Sequence, residues 1–233
     1  MTLLKKTAVI TGVSKGIGKA ICEQLLAKEC FVFGLGMNEP NFNHPNFLFI
    51  KADVRSFEQV QRAFEIILSQ HNKTLDIVIN NAGLGYFGYL EDMSLEHYHE
   101  IMRTNVDGIF YCCKLSIPIL KQKQSGHIIN ISSIAGLEAY PQVSVYSASK
   151  FAVKGFSEAL YKELRDFGIK VSCIYPGSVK TDFFRNSPGI KAHDYMLLPD
   201  EVAQSIVQIL ETSGNFHVVN HEIRPLQPKG PKN

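Results

Sequence analysis

The chain has 233 residues, 45% of them hydrophobic and 20% charged, with a formal net charge of +2. That balance suits a globule with a sizeable core and argues against a disordered chain or an electrostatic nucleic-acid binder. No apolar stretch approaches the roughly 20 residues needed to span a bilayer. Met1–Lys6 is too short for a secretory signal, and no lipidation motif is evident. A cytoplasmic protein with no nucleic-acid or membrane partner is therefore expected. The five cysteines are odd in number and form no CxxC pair, which points to reduced, buried thiols.

In chain order, β-rich runs alternate with helical patterns. Strands are predicted at Ala8–Thr11, Phe31–Leu35, Phe47–Lys51, Leu75–Ile79, His127–Ile131, Lys170–Ile174 and Phe216–Asn220. Most are unbroken apolar runs rather than alternating ones, as in parallel strands covered on both faces. Helices are predicted over Gly16–Lys28, over Ser56–Gln70 with Ser56 as N-cap, and over Ser94–Gln122 with a break near Asn105–Gly108. Two more cover Tyr146–Phe167, stopped by Gly168, and Asp200–Thr212, preceded by Pro199 and ended by Gly214. Strand–helix repetition with short connections implies right-handed crossovers and a doubly wound, mostly parallel seven-stranded α/β sheet of the Rossmann type. Residues 1–223 read as a single domain, and 224–233, with three prolines, as a tail without a helix or strand of its own.

The run Thr11-Gly12-Val13-Ser14-Lys15-Gly16-Ile17-Gly18 follows the first strand and opens the first helix. Glycines there permit a tight turn, close backbone approach to a pyrophosphate and close helix–strand packing. The helix N-terminus adds free N–H donors and a positive dipole end. The spacing is GxxxGxG rather than GxGxxG, and a purely structural turn is the alternative.

Tyr146-Ser147-Ala148-Ser149-Lys150 places Tyr146 and Lys150 at i and i+4, on one side of a helix. Reduction of a carbonyl by hydride leaves an alkoxide that needs a proton. A tyrosine can give it if a nearby ammonium lowers its pKa from about 10. The alternative is a solvated surface pair. Ser132-Ser133 lies just past the fifth strand, at the carboxyl end where open α/β sheets bind ligands, and could hold a substrate oxygen or simply close a turn.

Together these residues resemble the short-chain dehydrogenase/reductase family, and its 3-oxoacyl carrier-protein reductase-like members in particular. The resemblance rests on Thr11-Gly12-x-x-x-Gly16-x-Gly18, Asp53, Asn80-Asn81-Ala82-Gly83, Asn105, Ser133, Tyr146-x-x-x-Lys150, and Pro176-Gly177 with Thr181. It implies that Tyr146 is the acid/base and that Lys150 lowers its pKa and holds the ribose. It further implies that Ser133 orients the substrate oxygen and that Asn105 anchors a water in a proton relay to Lys150. The same resemblance assigns Asn81, Ala82 and Gly83 to the cofactor site, Asp53 to the adenine and Thr181 to the carboxamide. It adds Ser14, Lys15, Ile17, Val54, Pro176, Gly177 and Val179 to the cofactor contacts. Asn80, Asn81 and Asn105 could instead serve only to close a turn or satisfy a kinked helix.

An acidic residue ending the second strand would bind a ribose 2′-hydroxyl and repel a 2′-phosphate. Here the strand ends Gly34-Leu35-Gly36-Met37-Asn38, with Glu39 too late and no arginine in place. Lys15 is the remaining cation, so NADP(H) is favoured and NAD(H) is the alternative.

Pocket residues are expected from Leu84–Leu90, Ile134–Val145 (Ile134, Leu137, Glu138, Tyr140) and Ser178–Leu198. The last segment is a lid candidate containing Phe183, Phe184, Ser187-Pro188-Gly189 and Met196-Leu197-Leu198. Its His193 reads as a solvated loop residue, and no histidine spacing suits a metal. A small or medium, partly apolar carbonyl compound fits this mixture. A homo-oligomer, dimer or tetramer, is expected from the resemblance, through helices bearing Phe110, Leu115, Phe151, Val153 and Phe156. Two other readings compete: a non-catalytic NADP(H)-binding regulatory or scaffold protein, and a nucleotide-sugar epimerase or dehydratase, for which 233 residues leave little room.

Overall fold

The computed structural model describes residues 2–70, 74–183 and 192–228. Seven parallel strands form one sheet in the order β3-β2-β1-β4-β5-β6-β7. They are β1 Thr7–Thr11, β2 Phe31–Gly36, β3 Phe47–Lys51, β4 Ile77–Asn80, β5 Gly126–Ile131, β6 Ile169–Pro176 and β7 Asn220–Ile223. Among the described residues six helices accompany them: α1 Gly16–Ala27, α2 Phe57–Ser69, α3 Leu95–Met102, α4 Gly108–Lys123, α5 Ser144–Leu164 and α6 Pro199–Leu210.

Because successive strand side chains point to opposite faces, each strand feeds two cores. Ala8 and Ile10 of β1 join Ile21, Leu25, Ile206 and Ile209 beneath α1 and α6. Val9 joins Phe33, Phe64, Leu120, Leu160 and Val171 on the other face, under α2, α4 and α5. Burial on both faces is why the inner strands read as unbroken apolar runs. The five cysteines are free and buried.

Local chemistry sets several boundaries. Ser56 caps α2 by accepting from Gln59 N–H. The long pattern from Ser94 breaks where expected: a π-turn over Arg103–Asp107 separates α3 from α4. After α5, a 3₁₀ turn runs to Phe167, and Gly168 at φ 68° takes the left-handed position that ends it. Pro199 is the first residue of α6 rather than its prelude, since its missing N–H costs nothing there.

The last strand is displaced from its predicted place. Phe216–Asn220 looked β-rich, but the ladder with β6 runs over Asn220–Ile223, pairing with Cys173–Pro176. The approach to it is held by side chains instead: Lys170 Nζ donates to the Phe216 carbonyl, and the His217 ring to that of Val171.

Beneath that approach, His127 is 7% exposed. Its Nε2 lies 2.8 Å from Ser172 Oγ, which donates its own proton to Val218 O. Burial, aided by His217 and Lys170, pushes its pKa down to about 3 from 6.5. The fold therefore refuses a proton that the unfolded chain accepts below pH 6.5. This contribution is intact above that pH and is lost as the pH falls toward 3. About 2–3 kcal/mol should disappear between pH 7 and 4.5. Urea unfolding at the two pH values should show a shallower loss for His127→Gln, and an equal loss in both proteins would refute this origin.

Candidate active site

The strand order reverses between β1 and β4, the place where open α/β sheets form a crevice at their carboxyl ends. A cleft of about 910 Å³ opens there. Gly12 and Gly16 in the first turn have φ of +74° and +60°, which side-chain-bearing residues rarely adopt. A Cβ on Gly12 would lie 3.0 Å from Ala82 Cα, and one on Gly18 would overlap the Gly12 carbonyl and the Asn81 amide. Lys15, the N-cap of α1, provides no side-chain cap. First-turn N–H groups left uncapped in this way suit an anion.

Asn81 pins this turn. Its Nδ2 donates to Thr11 O (2.9 Å) and Gly12 O (3.1 Å), while its own N–H and that of Ala82 donate to Thr11 Oγ1. Asn80 points elsewhere, donating to Asn130 Oδ1 at 2.8 Å, and Asn130 donates to Ser157 Oγ. That buried ladder joins β4, β5 and α5.

Tyr146 and Lys150 share one side of α5, with Lys150 Nζ 5.7 Å from the Tyr146 ring centre. The two serines after β5 divide their tasks. Ser132 donates to the Lys150 carbonyl, whereas Ser133 accepts from Ala135 N–H at 3.1 Å and lines the cleft with Tyr146. Lys150 Nζ donates to Ile131 O at 2.9 Å. Burial pushes Tyr146 up to about 12, only partly offset by Ser133, and Lys150 down to about 8. Desolvation of a phenolate is the larger cause at Tyr146, while the Lys150 ammonium is directed at the Ile131 carbonyl.

Asn105 is fully buried in the π-turn. Its Nδ2 donates to Leu84 O and Ser149 Oγ, and its Oδ1 accepts from Leu84 N–H. Those bonds make it a positioning residue that fixes the chain after β4 against α5. Gly83 is squeezed between them: a Cβ there would lie 3.3 Å from Asn105 Oδ1 and 3.5 Å from Lys150 Nζ.

The sequence-derived site residues all line the cleft except two. Gly18 is buried beneath the turn, and Asn105 lies behind Gly83. Of the expected substrate residues, Ile134, Tyr140 and Phe183 line the cleft. Leu137 instead packs against the core, and Glu138 carries an ion pair with Arg224 at 2.7 Å. His193 and Tyr195 lie outside the cleft lining, and the expected lid residues Phe184 and Ser187-Pro188-Gly189 fall outside the described residues.

Sequence reasoning missed a polar rim. Arg55 binds both Asp53 oxygens and reaches Glu100 at 2.8 Å, and Glu100 also accepts from the Tyr86 hydroxyl. Burial opposes the charge on Asp53, but the bonds from Arg55 outweigh it and hold that carboxyl below its ordinary range. Lys15, at 3.4 Å, pairs with Asp182 across the cleft mouth. The Asp53-x-Arg55 spacing was a usable signal; Glu100 and Asp182 are distant in sequence and gave none.

The sequence profile of the family described as short chain dehydrogenase matches residues 6–189. A 3-ketodihydrosphingosine reductase of Bacteroides thetaiotaomicron is 39% identical over 178 residues, 76% of this chain and 65% of that protein. The chain thus spans just under two thirds of that relative's length. A 3-oxoacyl-[acyl-carrier-protein] reductase of Chlamydia trachomatis is 30% identical over 93% of this chain and 94% of its own. Among solved structures, an alcohol dehydrogenase from the archaeon Thermococcus sibiricus, complexed with 5-hydroxy-NADP, superposes with a TM-score of 0.86. It is 26% identical and covers 98% of this chain and 100% of its own. A doubly wound sheet with a glycine turn and a buried tyrosine–lysine pair at its switch point defines a dinucleotide-type oxidoreductase class. Within that class, the chain belongs to the short-chain dehydrogenase family.

Proposed function

We propose that the chain is an NADP(H)-dependent oxidoreductase that interconverts a carbonyl and a secondary alcohol, with Tyr146 as acid/base. The observation that carries this is the convergence of Ser133, Tyr146 and Lys150 on one cleft at the sheet's switch point. A turn in which side chains on Gly12 and Gly18 would clash with the Asn81–Ala82 backbone and amide fits a dinucleotide laid close to the chain.

When bound, the nicotinamide supplies or accepts the hydride. The first-turn N–H groups of α1 hold the pyrophosphate, with Ser14, Gly16 and Ile17 around it. Asp53 and Val54 border the adenine, Lys150 holds the ribose, and Pro176, Gly177, Val179 and Thr181 close the nicotinamide end. Ser133 donates a hydrogen bond to the substrate oxygen. Tyr146 gives that oxygen its proton during reduction, and its raised pKa keeps the hydroxyl protonated near neutrality. Lys150 stabilises the phenolate left behind. Asn105 keeps Gly83 and Lys150 in register, and a water relay to Lys150 would start beside it. The decisive assay follows NADPH absorbance against acetoacetyl thioesters, diketones, aldehydes and keto-amino acids. Turnover of at least one is expected. Dinucleotide binding without turnover of any would favour the regulatory reading.

NADP(H) is preferred because the residues after β2 that line the cleft, Met37 and Asn38, carry no negative charge, whereas Lys15 sits at its mouth. NADPH should bind more tightly than NADH, and Lys15→Ala should weaken NADPH binding by about tenfold. Fluorescence titration giving equal affinities in the wild type would overturn the preference.

A dimer or tetramer would form through α4 and α5, where Phe110 and Phe151 are 46% and 40% exposed. Light scattering should show more than one subunit, and a monomer at micromolar concentration would refute this. No helix among the described residues is long and apolar enough to cross a membrane, and a cytoplasmic site of action remains the expectation.

A further inference from the structure

We infer that Phe87, together with Phe183, is the specificity determinant of this site, and that its substrates are ketones carrying an aromatic ring next to the reacting carbonyl. The inference rests on the proposed carbonyl reduction. Three rings converge where the substrate must sit. Phe87 meets Tyr146 edge-on at 5.3 Å, Phe183 lies 5.7 Å from Tyr146, and the two phenylalanines are 6.3 Å apart. Two phenylalanine rings therefore stand against the ring of the tyrosine that delivers the proton, and Tyr146 itself is 8% exposed.

Phe87 is held there by bonds on both sides of it. Asn105 grips both the N–H and the carbonyl of Leu84. Tyr86 turns the other way, stacked on His97 at 3.8 Å and bonded to Glu100. Gly88 N–H donates to the carbonyl of Gln142, a residue in the left-handed region at φ 66°. Gly85 leaves the necessary gap: a Cβ there would lie 2.9 Å from the Phe87 ring and 3.2 Å from Tyr146. A ring fixed so firmly against the acid/base is preorganised to select among substrates rather than to fill space. The neighbouring walls extend the same surface, with Leu84, Ile134, Pro141 and Val143. Among the described residues lining the cleft, the charged side chains have partners of their own. Lys15 pairs with Asp182, Arg55 with Asp53 and Glu100, and Lys150 with Ile131 O.

The test compares 1-phenylpropane-1,2-dione with butane-2,3-dione, which differ only by phenyl against methyl beside the diketone. In the wild type, kcat/KM should favour the phenyl compound by about 30-fold, and in Phe87→Ala that ratio should fall to within about threefold of one. Phe87→Leu, which keeps an apolar side chain without the ring, should lie between. Calorimetry of the dinucleotide complex with N-methylbenzamide, which hydride does not reduce, gives a readout independent of turnover: Phe87→Ala should lose about tenfold in affinity. Circular dichroism and dinucleotide titration establish that the variants are folded. Turnover of both diketones with no phenyl preference, or a preference unchanged in Phe87→Ala, overturns this inference and leaves the proposed function standing. No turnover of either compound, or of any other carbonyl, overturns both.

Discussion

Tyr146→Phe is expected to lower kcat for carbonyl reduction by about 10²–10⁴-fold while NADPH still binds. The change removes one oxygen and leaves the ring, so the packing against Phe87 and Phe183 survives. Ser133 keeps its contact with Ala135 N–H. Stability should change little, because the hydroxyl belongs to a site open to the cleft rather than to the core. Parallel measurements of NADPH oxidation, NADPH fluorescence and thermal unfolding separate the three effects. Retained turnover would sink the acid assignment. Loss of dinucleotide binding together with loss of turnover would mean that the hydroxyl is needed to hold the dinucleotide, and the acid role would not be isolated by this variant.

Gly18→Ala should abolish dinucleotide binding and cost several kcal/mol of stability, of the order seen for overpacking a tight core. The added methyl would overlap the Gly12 carbonyl and the Asn81 amide, both parts of the pinned turn. Backbone cannot swing aside as a flexible side chain can. Either α1 lifts from the sheet or the turn opens, and each movement breaks the Asn81 bonds to Thr11 and Gly12. Gly155→Ala is the control, since nothing lies within 4 Å of a Cβ there. Titration with NADPH and a thermal melt would check both variants. Wild-type affinity in Gly18→Ala would show that the helix packs less tightly than the turn requires.

Much of this was legible in the residues themselves. Unbroken apolar runs announced a covered parallel sheet, and all seven strands were placed, although the last was set four residues early. Hydrophobicity alone chose Phe216–Asn220, whereas the register with β6 and the Lys170 and His217 tethers moved the ladder to Asn220–Ile223. The break near Asn105 was readable because the helical pattern was too long, but its form as a π-turn was not. A spacing of i and i+4 sufficed to put Tyr146 and Lys150 on one side of a helix, and a serine pair after β5 sufficed to mark the carboxyl end of the sheet where the cleft opens.

What the sequence determined by itself was therefore the local and the periodic: the α/β alternation, the glycine turn, and the tyrosine–lysine pair that mark the family. The tertiary structure alone decided which groups meet across the fold. It brought Arg55 to Asp53 and Glu100, Lys15 to Asp182, and Phe87 and Phe183 onto Tyr146. It also decided how deeply Tyr146 is buried and hence the upward push on its pKa, because burial is a property of the assembled site. Periodicity encodes which face of an element is buried, but distances between elements far apart in the chain follow from packing and are not written in any single segment.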